Sequence, residues 1–132
     1  MNRILHWSII FGFLFMNLLG LSFAGEQLGK DNLETLIKGN SVEGKKIKWK
    51  TTYKTYFDPS GKFKRIDSLN NKESGEWRVE SDGKLCMIGR KENCFTVKQR
   101  SDGGYDVHNT VDEVTWTIDK VFPGNQYNLV QK

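Results

Sequence analysis

The stretch Trp77-Arg78-Val79-Glu80-Ser81-Asp82-Gly83-Lys84-Leu85-Cys86-Met87 decides how the chain is read. Apolar and polar residues alternate on both sides of Ser81-Asp82-Gly83, with the period of half-buried strands. A two-residue Asp-Gly turn would set Glu80 near Leu85 and mix the faces. A three-residue loop with Gly83 in the left-handed region sets Val79 opposite Leu85 and Trp77 opposite Met87. The second register is preferred, because a slip of one residue turns every apolar side chain out of the core.

The same device recurs on either side. Phe57-Asp58-Pro59-Ser60-Gly61-Lys62-Phe63 suits a three-residue loop that sets Phe57 opposite Phe63. Ser101-Asp102-Gly103 sets Val97 opposite Val107, Gln99 opposite Tyr105 and, on the outer side, Lys98 opposite Asp106. Gly89-Arg90-Lys91 closes a hairpin that puts Cys86 opposite Cys94 and Leu85 facing Phe95, with the sulfurs on the outer face. Seven strands are expected, over residues 45–57, 62–67, 75–80, 84–88, 93–99, 104–109 and 113–121. Before them, Asp31-Asn32-Leu33-Glu34 reads as a helix start, with Asp31 as cap and Glu34 reaching back to it. Leu33, Leu36 and Ile37 share one face of that short helix, which ends at Gly39. The expected fold is mostly β: an antiparallel meander of 7–8 strands forming a small barrel or strongly curved sheet, with one short N-terminal helix over an end. So small a barrel holds side chains or one small ligand.

The chain has 132 residues, with 20 Lys+Arg against 16 Asp+Glu. Residues 1–24 read as a signal peptide: Arg3 is the positive start, Ile4 to Leu21 is almost wholly apolar, and Ser22 and Ala24 supply the small residues before a cut. The rival reading is an uncleaved anchor, since about 18 apolar residues nearly span a bilayer. Cleavage is preferred because the small-residue site lies where the apolar run stops. Residues 25–132 are then a single β domain, periplasmic or secreted, too small for most cofactor-binding α/β enzymes. An even cysteine count in an exported chain favours a Cys86–Cys94 disulfide. Zinc is disfavoured, because two thiols and His108 do not make four ligands.

Several of these strings occur together in a known pattern. Leu36 to Gly44, Tyr53 to Gly61, Gly75-Glu76-Trp77-Arg78-Val79, Asp82-Gly83-Lys84-Leu85-Cys86 and the second Cys94 resemble small exported proteobacterial proteins of unknown function. The shared pattern is Gly-x-Trp-x-Val, Asp-Gly-x-Leu-Cys and a later Cys, over most of residues 36–107. This chain departs from it at Ser41, where Thr is expected, and at Met87-Ile88-Gly89, where a Trp is common. The resemblance implies an exported, calycin-like β fold and carries over no catalytic residues.

Three candidate sites follow from the residues. Between Lys45 and Arg65 there are eight basic residues against Asp58 alone. Parity along 45–57 points Ile47, Trp49, Tyr53 and Phe57 inward, and Lys46, Lys48, Lys50 and Lys54 outward, joined by Lys62 and Lys64 across the hairpin. That face suits an anionic envelope partner, whether lipid headgroups, an acidic polysaccharide or an acidic protein, or is a solvated strand face that blocks edge pairing. The inward aromatics Trp49, Tyr53, Phe57, Trp77, Phe95 and Trp116 line a ligand cavity or are simply the core. His108 would share a face with Asp106 about 7 Å away along the strand, and no nucleophile signature accompanies it. No enzyme activity, cofactor, metal or nucleic-acid partner is expected, and no membrane span in the mature form. The expected function is an exported, non-enzymatic binding module of the cell envelope. Its ligand is either a small apolar molecule in the barrel or an anionic partner on the Lys-rich face. The alternative is a protein inhibitor or accessory factor, acting on another exported protein through loops 58–62, 68–74 and 89–92.

Overall fold

The structure, a computed structural model, describes residues 25–127, so the signal-peptide reading of residues 1–24 lies outside them. One helix, α1 (Lys30–Ile37), precedes nine strands. They are β1 (Asn40–Lys46), β2 (Thr51–Phe57), β3 (Lys62–Asp67), β4 (Lys72–Val79), β5 (Leu85–Ile88), β6 (Glu92–Gln99), β7 (Tyr105–His108), β8 (Val114–Ile118) and β9 (Lys120–Pro123). Each strand from β1 to β7 pairs antiparallel with the next, and β1 also pairs with β8 and β9. The sheet therefore closes on itself. β8 and β9 run on around Asp119, whose amide donates to the Glu43 carbonyl at 2.7 Å, and together form the eighth stave of one barrel.

The hairpin registers are those the turn chemistry requires. Val79 pairs with Leu85, Trp77 with Met87, Phe57 with Phe63, Val97 with Val107, Lys98 with Asp106 and Cys86 with Cys94. Gly83 has φ 88°, the left-handed conformation the three-residue loop needs. Cys86 and Cys94 are joined in a disulfide, with Cα atoms 4.0 Å apart.

Three local expectations are corrected. The run 45–57 is two strands, β1 and β2, joined by a turn over 47–50 in which Lys50 has φ 52°. The break reverses parity. Val42 and Gly44 face inward on β1, and Tyr53 and Thr55 on β2, with Lys46 paired to Thr51 across the turn. Ile47 and Trp49 are therefore exposed on the turn, not inward, and Lys46 lies on the inner face, not the outer. Asp31 is not the helix cap. The cap is Gly29, without a side-chain hydrogen bond, and Asp31 lies in the first turn, where its charge favours the helix dipole. The loop expected over 68–74 is not all loop, because Lys72, Glu73 and Ser74 already belong to β4.

α1 covers one end of the barrel. The Gly39 amide that follows it donates to the Phe57 carbonyl at 2.7 Å. Its Leu33 and Ile37 are wholly buried and pack with Val42, Phe57, Phe63 and Leu85. Each such aliphatic side chain contributes about 1.5–3 kcal/mol on burial. This half of the barrel is filled, and among the described residues no helix covers the opposite mouth.

Candidate functional site

The uncovered mouth is ringed by the turns over 47–50, 68–71, 89–91 and 109–113. Below it lies an open cavity of 750 Å³, walled by Met87, Phe95 and Trp116 and overhung by Ile47 and Trp49. A second depression of 530 Å³ adjoins it and shares Lys46, Arg65, Glu73 and Asn93. The larger volume lies within the usual range for small-ligand sites, about 300–1,000 Å³.

Arg65 is the residue that sets the chemistry of this cavity. It follows Phe63 by two on β3, so it faces the barrel interior. Its guanidinium carbon lies 4.8 Å from the Tyr53 ring centre and 4.6 Å from that of Trp116. Nε donates to Thr55 Oγ1 at 2.9 Å. Among the described residues it forms no ion pair. Burial lowers its pKa, opposed by the nearby Tyr53 hydroxyl and Glu73 carboxylate. An arginine keeps its proton under these conditions, so the cavity floor carries a fixed positive charge.

Tyr53 is locked beneath it. Its ring meets Trp116 edge-on at 5.3 Å, and its hydroxyl donates to the Thr117 carbonyl at 2.6 Å. Burial pushes the phenol pKa well up, so it stays a neutral donor. Trp116 also meets Phe95 edge-on at 5.7 Å. Two buried polar atoms, Thr51 Oγ1 and Trp116 Nε1, have no hydrogen-bond partner among the described residues. They are not scattered. Lys46 is paired in register with Thr51 on one side and with Trp116 on the other, so both flank Lys46 around the mouth. A buried polar atom without a partner costs about 1–3 kcal/mol.

Lys46 is anchored by Asp67 at 3.2 Å. Asp67 also accepts from the Leu69 amide at 3.0 Å and from the Asn71 amide and side chain at 2.9 and 3.1 Å. Burial alone would raise its pKa, but the two Asn71 bonds and the Lys46 ammonium together bring it down to about 2 from an ordinary 3.8. A depressed folded pKa stabilises the fold above the unfolded value and loses that contribution as pH falls through the folded one. Wild type is expected to lose stability between about pH 4 and pH 2, and Asp67→Asn to lack that component. Urea denaturation at successive pH values checks it. A variant with the wild-type acid slope would show that Asp67 is not the group responsible.

The sequence candidates are divided by the barrel. Trp116, Phe95 and, from the turn above, Trp49 line the cavity. Tyr53, Phe57 and Trp77 belong to the core. Lys54 and Lys62 are exposed on the outer face with the partly covered Lys64, Lys48 and Lys50 sit on the turn, and Lys46 points inward. His108 meets Asp112 at 3.0 Å, whereas Asp106 is taken by Arg100 at 3.3 Å. Arg65 and Thr51 were not among the candidates, although Arg65 shares the parity of Phe63 and that signal was present. No family model and no curated protein matches the chain, so the site is read from its own chemistry.

Proposed function

We propose that this chain is a non-enzymatic binding module for a small amphipathic anion, held in the open half of an eight-stranded barrel. The observation that carries the reading is Arg65, an inward cation over two aromatic rings: Glu73 stands opposite it in register on β4, but among the described residues no carboxylate comes within ion-pair distance. A charge withdrawn from water is costly until a counter-charge reaches it. An anionic group on a ligand supplies that charge, and Lys46 and Trp116, which line the same cavity, offer further polar contacts. Met87, Phe95 and Trp116 are left to take an apolar body. A neutral apolar ligand would shield Arg65 from water and give nothing in return. The paired cysteines and the leader-like residues 1–24 support a place outside the cytoplasm, periplasmic or secreted.

Displacement of a bound naphthylsulfonate fluorophore tests this. Dodecanoate is expected to compete and dodecanol to compete far less. Arg65→Met should weaken dodecanoate by about tenfold or more, since a hydrogen bond to a charged group is worth about 1.5–3 kcal/mol. Lys62→Met, on the outer face, should leave it unchanged. Equal displacement by acid and alcohol, or none by either, would sink the reading.

A further inference from the structure

We infer that the open mouth of the barrel docks on the surface of an anionic lipid bilayer. The exposed large hydrophobic residues of the described chain are Ile47, Trp49, Leu69 and Val111. Single exposed apolar residues are ordinary. Here all of them fall on the turns over 47–50, 68–71 and 109–113, at one end of one barrel, and the helix-covered end has none. Trp49, Leu69 and Val111 are each 68–69% exposed. The remaining turn at this end carries Arg90 and Lys91.

The charges are sorted the same way. At the rim, Lys48, Lys50, Lys72, Arg90 and Lys91 form no ion pair among the described residues, and of the carboxylates only Glu73 and Glu113 are similarly free. Asp67, Glu92 and Asp112 are each neutralised by a base, Lys46, Arg78 and Lys98 respectively. On the turns and bends of the opposite end, Asp82 is paired with Lys84 and both Asp102 and Asp119 with Arg100, which leaves Asp58 as the turn carboxylate without an ion pair among the described residues. The mouth thus combines apolar tips with bases that form no ion pair, whereas the turn carboxylates of the covered end are mostly neutralised. Apolar tips with a tryptophan and surrounding lysines suit the boundary between headgroups and acyl chains, and clustered cations are drawn to anionic headgroups. The tips stand on separate turns around an opening, not in one contiguous patch, which suits a fluid surface better than a protein face. Docked this way, the mouth would open onto the layer in which an amphipathic anion dissolves. That last clause rests on the ligand reading above, whereas the docking itself does not.

Flotation with phosphatidylcholine vesicles, with and without about one third phosphatidylglycerol, tests the docking. Wild type and variants are compared as chains that begin at Gly25, because the apolar run of residues 4–21 would itself insert into vesicles of either kind. Wild type should float with the anionic vesicles only, and less as salt rises from about 0.05 to 0.5 M. Combined Trp49→Ala, Leu69→Ala and Val111→Ala should keep the wild-type unfolding temperature and weaken flotation at least about tenfold. Brominated lipid should quench tryptophan emission in wild type and lose that effect in Trp49→Phe. Unchanged flotation of the triple variant would overturn the proposal. So would loss of flotation on reversing the outer-face Lys54, Lys62 and Lys64 instead. Dodecanoate binding in solution without flotation would keep the ligand site and overturn the docking. Flotation without dodecanoate binding would keep the docking and remove the ligand reading.

Discussion

Trp77→Ala is expected to destabilise the barrel by about 3–5 kcal/mol, the usual cost of truncating a core aromatic. The ring is only 7% exposed and meets Phe57 edge-on at 5.6 Å. Its indole N–H donates to the Asp58 carbonyl at 3.0 Å, which ties β4 to the hairpin between β2 and β3. Alanine would remove the packing and one of the two hydrogen bonds to that carbonyl, which also accepts from the Gly61 amide at 3.0 Å. Urea denaturation reads the change directly. Trp77 lies in the filled half, so any variant that remains folded at low temperature should still bind at the mouth. A mutant with an unchanged midpoint would show that Trp77 is not an anchor.

Gly44→Ala is expected to cost about 3 kcal/mol or more, beyond the usual penalty of overpacking, because the obstruction is backbone. A Cβ on Gly44 would lie 1.8 Å from the Thr117 carbonyl oxygen and 3.0 Å from the Tyr53 ring. The missing side chain does two things here. It lets β1 approach β8, and it leaves room for Tyr53 to reach over β1 to that same carbonyl. Either the strands part or the Tyr53 bond breaks. Loss of amide-exchange protection along β1 and β8, with β4 to β6 less affected, would locate the damage. Gly29→Ala is the control, since nothing lies within 4 Å of its added Cβ, and losing a glycine cap should cost no more than about 1 kcal/mol. Equal effects of the two substitutions would contradict this account of the closure.

Much of the barrel was legible because hairpins are local. Asp82-Gly83 and its counterparts at Gly61 and Gly103 announce their turns, and alternation then leaves one acceptable register for each pair of strands. The turn over 47–50 was hidden because it carries no glycine, proline or asparagine. Its left-handed residue is Lys50, and its Ile47 and Trp49 imitate the alternation of a continuing strand. Parity carried across that break misplaced Lys46. β1 was partly hidden too, since Gly44 and two lysines read poorly as a strand. Its pairing with β8 and β9 is long-range, and no turn records it. The site was less legible than the fold for the same reason. Arg65, Trp116 and Lys46 meet only once the barrel closes, and a basic residue among other basic residues gives no sign that it faces inward.

The closing seam also bears on the order of events at the ribosome. β1 is made early, yet one of its two edges waits for partners near the far end of the chain, as Glu43 with Lys120 and Ser41 with Phe122. A nascent chain stopped before Val114 would hold every hairpin up to that of β6 and β7 and still expose that edge of β1 along with the outer edge of β7. Unpaired edges invite strand addition from other chains. Completion must therefore wait until β8 and β9 have been made, in one late step whose contacts span most of the barrel, the kind of topology that folds over milliseconds to seconds. The disulfide joins strands that are already neighbours, so it can form before that step and does nothing to hasten it.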